Sequence, residues 1–277
     1  MPKEPDRMNS RNATFSALFL SLALASSPVQ AGDKPPADPT SDPVMVTSGF
    51  LSGHPDLRFR LLALQKRSEG KMEAAFGFFQ RAAYYGDKPS AGMVAEMLWD
   101  GTGTSMDRAS AYAWMDLAAE RGYEGFLDLR ERYWARLDEA ERKQAIVVGQ
   151  DIYARYGDAV ALPRIATALR MERRRMTGSR TGFSANLQII VPTPGGGTEL
   201  IEGSKFYDER YWDPVQYQQW HDAIWSKPRV ARVDIGQVTQ LPQADLDTRI
   251  PKVEPAPDTP EPEPTDEMPI LGDGQRP

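Results

Sequence analysis

The feature that most constrains this chain is a spacing of small and apolar residues that recurs every 36 positions between residues 55 and 157. Leu57, Met93 and Leu129 fall in register, as do Leu61, Met97 and Tyr133, and Leu62, Leu98 and Trp134. A second set follows: Ala75, Ala111 and Val147 match, and so do Ala82, Ala118 and Ala154. Gly86 and Gly122 are followed by Gly157, one residue early. A fixed period of this length, with apolar residues at helical spacing inside it, predicts stacked helical hairpins. One hairpin cannot bury its apolar face alone, whereas three stacked hairpins share a continuous core.

The middle unit, Val94 to Gly122, carries the pattern most completely. Met93, Val94, Met97 and Leu98 form one helical face, and Ala111, Trp114, Met115, Ala118 and Ala119 form another. Between them Gly101 and Gly103 permit positive φ, and Asp107 is placed to cap the second helix. Ala118 and Ala119 are small enough to admit a neighbouring helix, Trp114 fills the wider gap, and Gly122 supplies the turn that ends the helix.

On Val94, Ala95, Leu98, Gly101, Gly103, Asp107, Ala111, Trp114, Ala118, Ala119 and Gly122 this unit resembles the Sel-one-like repeat family, a tetratricopeptide-like α-solenoid. The chain departs from the family pattern at Ser110 and Leu117, where a basic or polar residue is usual, and at Met115, where an aromatic is usual. The flanking units keep the spacing and the small residues but lack the glycine loop. The resemblance covers roughly a hundred residues and leaves residues 182–277 outside it. It implies a mainly α fold, an α-solenoid of about three hairpins with a capping helix, and a scaffold role in protein assembly. Ala82, Gly86, Gly101, Gly103, Asp107, Trp114, Ala118, Ala119 and Gly122 are its framework.

Residues 1–31 read as a signal peptide. Lys3, Arg7 and Arg11 precede the short apolar run Phe15 to Ala25, and Val29-Gln30-Ala31 gives a cleavage pattern before Gly32. The expected location is the periplasm, with the chain free of the membrane after cleavage. Cleavage takes the formal charge from −6 to −7, since that segment holds three basic and two acidic residues. Such a balance disfavours non-specific binding to nucleic acid. The absence of cysteine excludes thiol catalysis and cysteine metal sites. No metal or cofactor site is expected.

Residues 32–54 read as a proline-rich linker. Helices are then predicted over Leu57–Arg67, Met72–Tyr85, Ala91–Trp99, Arg108–Arg121, Phe126–Arg136 and from Asp138 to about Tyr156, with a capping helix from Ala159. Together these make a helical-repeat domain over 55–177. The cap ends in Arg170, Arg173, Arg174, Arg175 and Arg180, which read either as a solvated helix end or as a docking patch for anionic lipid or polysaccharide.

Residues 178–240 read as an aromatic-rich extension, mixed α/β. Leu187–Val191 and Thr198–Ile201 form a hairpin, Asp213-Pro214 starts a helix, and Val230–Ile235 alternates as a strand. The glycines 195–197 lack the lysine of a phosphate loop. The aromatics of 206–225 either pack back on the helices or present anchors to a peptide or glycan. On exposure and chemistry, Tyr112, Asp116, Tyr207, Tyr211, Trp212, Tyr217 and Trp220 are the candidate partner-binding residues. Glu209, Asp213 and His221 are the grouping that an envelope enzyme or glycan-acting factor would use, and that alternative requires the three to converge. Residues 241–277, rich in proline and acids, are expected to be an extended, disordered tail. The function expected is an exported, non-enzymatic adaptor that binds a protein or peptide partner.

Overall fold

The computed structural model describes residue 40 and residues 46–177, 188–192, 198–226, 247–257 and 259–263. Residues 1–31, read as a signal peptide, the strand expected over Val230–Ile235 and the glycines 195–197 lie outside the described residues.

The described fold is mainly helical. Its elements are α1 (Ser48–Leu51), α2 (Pro55–Ser68), α3 (Met72–Tyr84), α4 (Lys88–Asp100), α5 (Arg108–Ala118), a 3-10 turn (Ala119–Arg121), α6 (Glu124–Arg136), α7 (Glu139–Tyr156) and α8 (Asp158–Thr177). Then come β1 (Gln188–Pro192), β2 (Thr198–Glu202), α9 (Gly203–Phe206), α10 (Glu209–Trp212) and α11 (Pro214–Trp225). The helix starts follow from local chemistry. Asp107 accepts from the Ser110 amide at 2.9 Å, Asp138 and Glu141 form a reciprocal capping box, and Asp213 caps α11 ahead of Pro214. Each such cap is worth about 1 kcal/mol.

Consecutive helices α2 to α5 pack each on the next. The hub is α5, in which only Arg108 and Ser110 escape burial. A helix apolar almost all round must be covered on every side, and α4, α6 and α7 do this. Here the third unit departs from the expected hairpin, because α7 packs chiefly on α5 and not on α6. Val147, in register with the fully buried Ala75 and Ala111, is 60 % exposed, and Ala145 faces inward in its place. The cause is the connection: α4 and α5 are separated by Gly101–Asp107, whereas only Leu137 and Asp138 separate α6 from α7. The shorter link starts α7 earlier and turns a different face inward.

A second core holds Phe50, Leu51, Leu57, Ile165, Leu169, Ile201, Phe206, Tyr211, Trp212 and Tyr217. It joins α1, α2 and α8 to the extension, so the linker expected over 32–54 ends earlier: from Thr47 the chain is already part of the fold. Phe50 is edge-on to Phe206, Tyr211 and Trp212. Strands β1 and β2 pair antiparallel in the register Ile189 to Ile201 and Ile190 to Leu200, with Ile201 turned into this core.

A further correction concerns the described part of the tail expected over residues 241–277. Residues 247–257 and 259–263 carry no helix or strand, as their prolines dictate, but they are docked on the helices and not free.

The loop Gly101–Asp107 lies against the start of α3. Gly103 has φ +72°, and a Cβ there would stand 2.5 Å from the Met72 carbonyl carbon and oxygen. Gly103→Ala is expected to lower stability by about 1–3 kcal/mol. Gly125→Ala, within α6 and with nothing near its Cβ position, should be neutral or gain up to about 1 kcal/mol. Thermal or urea melts of the two variants check the contrast, and equal effects would mean that the loop does not sit against Met72.

Candidate functional site

The site is the face on which residues 247–263 lie, here called the strap. It is built from α5, α6 and α7 at one end and from α3 and α8 at the other. Helix α5 supplies Asp116, whose side chain is fully buried. The Tyr153 hydroxyl of α7 donates to Asp116 Oδ2 at 2.9 Å, and Thr248 Oγ1 of the strap donates to the same oxygen. Arg130 of α6, also buried, brings Nη1 to 3.5 Å from Asp116 Oδ1 and donates to Glu131 Oε1. Burial pushes the Asp116 carboxyl up, and the hydroxyls and cations around it oppose that shift.

One residue on, Arg249 forms a fork to Glu131, with Nη1 to Oε1 at 2.8 Å and Nη2 to Oε2 at 2.6 Å. Its guanidinium lies 4.9 Å from the Trp134 ring centroid, and Nη1 also donates to the Tyr112 hydroxyl at 3.3 Å. The Arg249 bonds hold the Glu131 carboxyl below its ordinary value. Ile250, 3 % exposed, sits over Gly149 of α7, where a Cβ would stand 2.4 Å from its Cδ1. A glycine inside a helix costs about 1 kcal/mol relative to alanine, and here it makes the seat for a side chain of the strap.

Beyond Pro251 the strap bridges a cavity of about 440 Å³ lined in part by Glu120, Arg130, Tyr153 and Lys252. It docks again at Ala256, whose amide donates to the Ala154 carbonyl at 2.9 Å. Arg164 of α8 reaches Thr259 Oγ1 at 3.0 Å, and the Tyr84 hydroxyl donates to the Thr259 carbonyl at 2.6 Å. Arg81 and Tyr85 both donate to Glu261.

The candidate binding residues divide. Tyr112 and Asp116 are buried, not exposed, yet both touch the strap; burial pushes the Tyr112 hydroxyl up to about 12. Tyr207, Tyr211, Trp212 and Tyr217 are buried in the second core and Trp220 packs against it, so this group does not form an open aromatic surface. The reason is the neighbouring apolar surface of α1, α2 and α8, which aromatic side chains cover at a gain of about 25 cal/mol per Å². The framework residues lie where the packing is closest: Ala82, Trp114, Ala118 and Ala119 are buried, and Gly86, Gly101, Gly103 and Gly122 take positive φ.

Glu209 and Asp213 are spent on surface bonds, Glu209 accepting from Gln216 and Asp213 capping α11, while His221 is buried against Tyr217 and Trp220. Arg170, Arg174 and Arg175 are exposed on α8, with Arg175 paired to Glu172, and Arg173 is half-buried. Sequence reasoning missed Glu131, Trp134 and Gly149 as a set, because nothing short of the strap's path brings them to one partner. Nothing in the local sequence marks Arg249 either, because its partners are more than a hundred residues away.

A buried polar cluster lies beneath the second core. The His54 ring nitrogens face the Phe50 and Tyr211 carbonyls, each at 2.8 Å, which only the imidazolium satisfies in full. Burial nevertheless holds its pKa down to about 4, so at neutral pH the ring donates to one of them. Tyr217 donates to Asp56 at 2.8 Å, and Arg60 pairs with Asp87 at 3.0 Å. Burial, with the charge of Asp87 nearby, pushes the Asp56 carboxyl up to about 7. The folded chain then keeps a proton that the unfolded chain has already released, so Asp56 costs stability progressively as pH rises from about 4 to about 7. Relative to wild type, Asp56→Asn should therefore gain stability across that interval and hold a constant difference above it. Urea melts over the same pH range test this, and a difference that stays flat throughout would show that Asp56 ionises as an exposed carboxyl does.

Among the described residues no helix is long and apolar enough to cross a membrane. No protein-family model, curated protein or solved structure matches the chain, so the strap and the face beneath it stand as the ground for a functional reading.

Proposed function

We propose that the chain is an exported scaffold of the Sel-one-like repeat kind that binds a protein partner, taking an extended segment of it on the face of α5, α6 and α7. The observation that carries this reading is the strap itself. A stretch without helix or strand is held there by a carboxylate that accepts a threonine hydroxyl, a carboxylate that grips an arginine, and a seat for an aliphatic side chain. Those are the elements with which a protein surface reads a peptide: a few buried anchors and a polar surround. The apolar run and cleavage pattern of residues 1–31 support export, and the helical packing of residues 55–177 supports the scaffold role.

The test is capture of a partner by the full chain from an extract of the cells that make it, beside Glu131→Ala and Trp134→Ala, each checked for an unchanged helical circular-dichroism spectrum. One protein retained in stoichiometric amount by the wild type and reduced by about tenfold or more in both variants is the expected result, since each loses one wall of the seat that grips Arg249. Retention of nothing, or retention indifferent to both substitutions, overturns the reading.

A further inference from the structure

We propose that this face selects partner segments in which a threonine, an arginine and a branched aliphatic residue follow one another, and that the chain's own Thr248-Arg249-Ile250 occupies the same three seats as an internal competitor. The inference rests on the scaffold reading above and adds to it both a specificity and a built-in restraint.

The three seats differ in chemistry, and each has its own reason for what it accepts. Asp116 is buried, and the hydroxyls of Tyr153 and Thr248 share its Oδ2. An occupant with alanine at that place would leave a buried carboxylate oxygen short of a donor. The same Thr248 oxygen accepts from the Ile250 amide at 2.9 Å, which turns the next two side chains toward their seats. The second seat, Glu131 with Trp134, matches a planar fork. Two parallel N–H bonds to one carboxylate and a face laid on an indole are available to arginine and not to lysine, which offers a point charge. The third seat is shaped by the missing side chain of Gly149, and it takes a branched aliphatic group and excludes a charged one.

Two observations favour exchange over permanent closure. After Ile250 the strap spans the 440 Å³ cavity, and Pro251, Lys252, Glu254 and Pro255 are exposed, so little of the stretch between the two docked ends is buried. The anchoring is also concentrated: residues 247–250 bond to or pack on the face at one end, and Ala256, Thr259, Pro260 and Glu261 bond to it at the other. A partner segment with the same triplet can take the first set of seats without disturbing α5. Covalent attachment through residues 227–246 gives the strap a local concentration of the order of millimolar. A free segment must therefore either be abundant or fit better, for instance by filling the cavity.

The experiment uses the full chain and a fluorescently labelled synthetic peptide with the sequence of residues 245–263. Wild type is compared with the full-chain double variant Arg249→Ala, Ile250→Ala, in which the strap loses two seats and the face stays intact. The double variant is expected to bind the peptide about tenfold or more tightly than wild type, because the competitor in cis has lost two of its three anchors at the first set of seats. A peptide with lysine in place of the arginine, and a double variant further changed by Glu131→Ala, should each lose about tenfold of that affinity. If the double variant binds no better than wild type, or takes the lysine peptide equally well, the proposal is overturned. Should the double variant unfold, the wild type decides the matter: millimolar peptide should speed hydrogen exchange of the Ala256 amide, and unchanged exchange overturns the proposal. Partner capture with no discrimination between peptides would leave the scaffold reading standing and remove the specificity, whereas peptide binding without partner capture would do the reverse.

Discussion

The structure depends on Asp116, a carboxylate placed on the helix that everything else surrounds. Its side chain is fully buried, and it meets Tyr153 of α7, Arg130 of α6 and Thr248 of the strap, so four segments share one charge. A buried charge is tolerated only when its partners satisfy it, and losing one of them costs about 3–5 kcal/mol. That condition couples the arrangement of α6 and α7 to α5 and makes the strap part of the same network. Buried alanines of α5, interleaved with Tyr112, Trp114, Met115 and Leu117, belong with them to the first core, so the helix is both its centre and the floor of the candidate site.

The second core solves a different problem. Residues 47–54 and the extension each carry more aromatic surface than a loop can leave in water, and they cover one another against α2 and α8. His54 stitches them together, stacking on Phe50 and facing the carbonyl of Tyr211. Trp212 donates its indole N–H to the Phe206 carbonyl, so even the largest side chain of this core has its polar atom satisfied. With these residues committed to packing, the extension serves as a cover for the first helices.

The strap shows how a segment poor in apolar residues can still dock. Prolines carry no N–H, so a proline-rich stretch lies on a helical surface without the ladder of backbone partners that another chain would need. The affinity then falls to a few side chains with strong, separate seats, which is what Thr248, Arg249, Ile250 and Glu261 supply. An arginine gripped by a buried-edge glutamate outweighs the chain entropy of ordering its neighbours far better than an exposed pair would.

Local chemistry written in the sequence determined the helices of residues 55–177 with their caps at Asp107 and Asp138, the hairpin around residues 188–202 and the helix Pro214–Trp225 with its cap at Asp213, because each depends on periodicity, turn residues or a capping side chain close by in the chain. The apolar sides of α4 and α5 were legible for the same reason. Tertiary structure alone decided the rest. Whether Val147 or Ala145 faces inward depended on the short link before α7, and whether Tyr211 and Trp212 were anchors or core depended on the surface that α1, α2 and α8 offered. The seat of Arg249 depended on bringing Glu131 and Trp134, more than a hundred residues earlier in the chain, beside a segment that sequence composition alone marks as unfolded. Composition measures how much apolar surface a segment can bury on its own account, and it is silent on the contacts that a few polar side chains make once a folded partner surface exists.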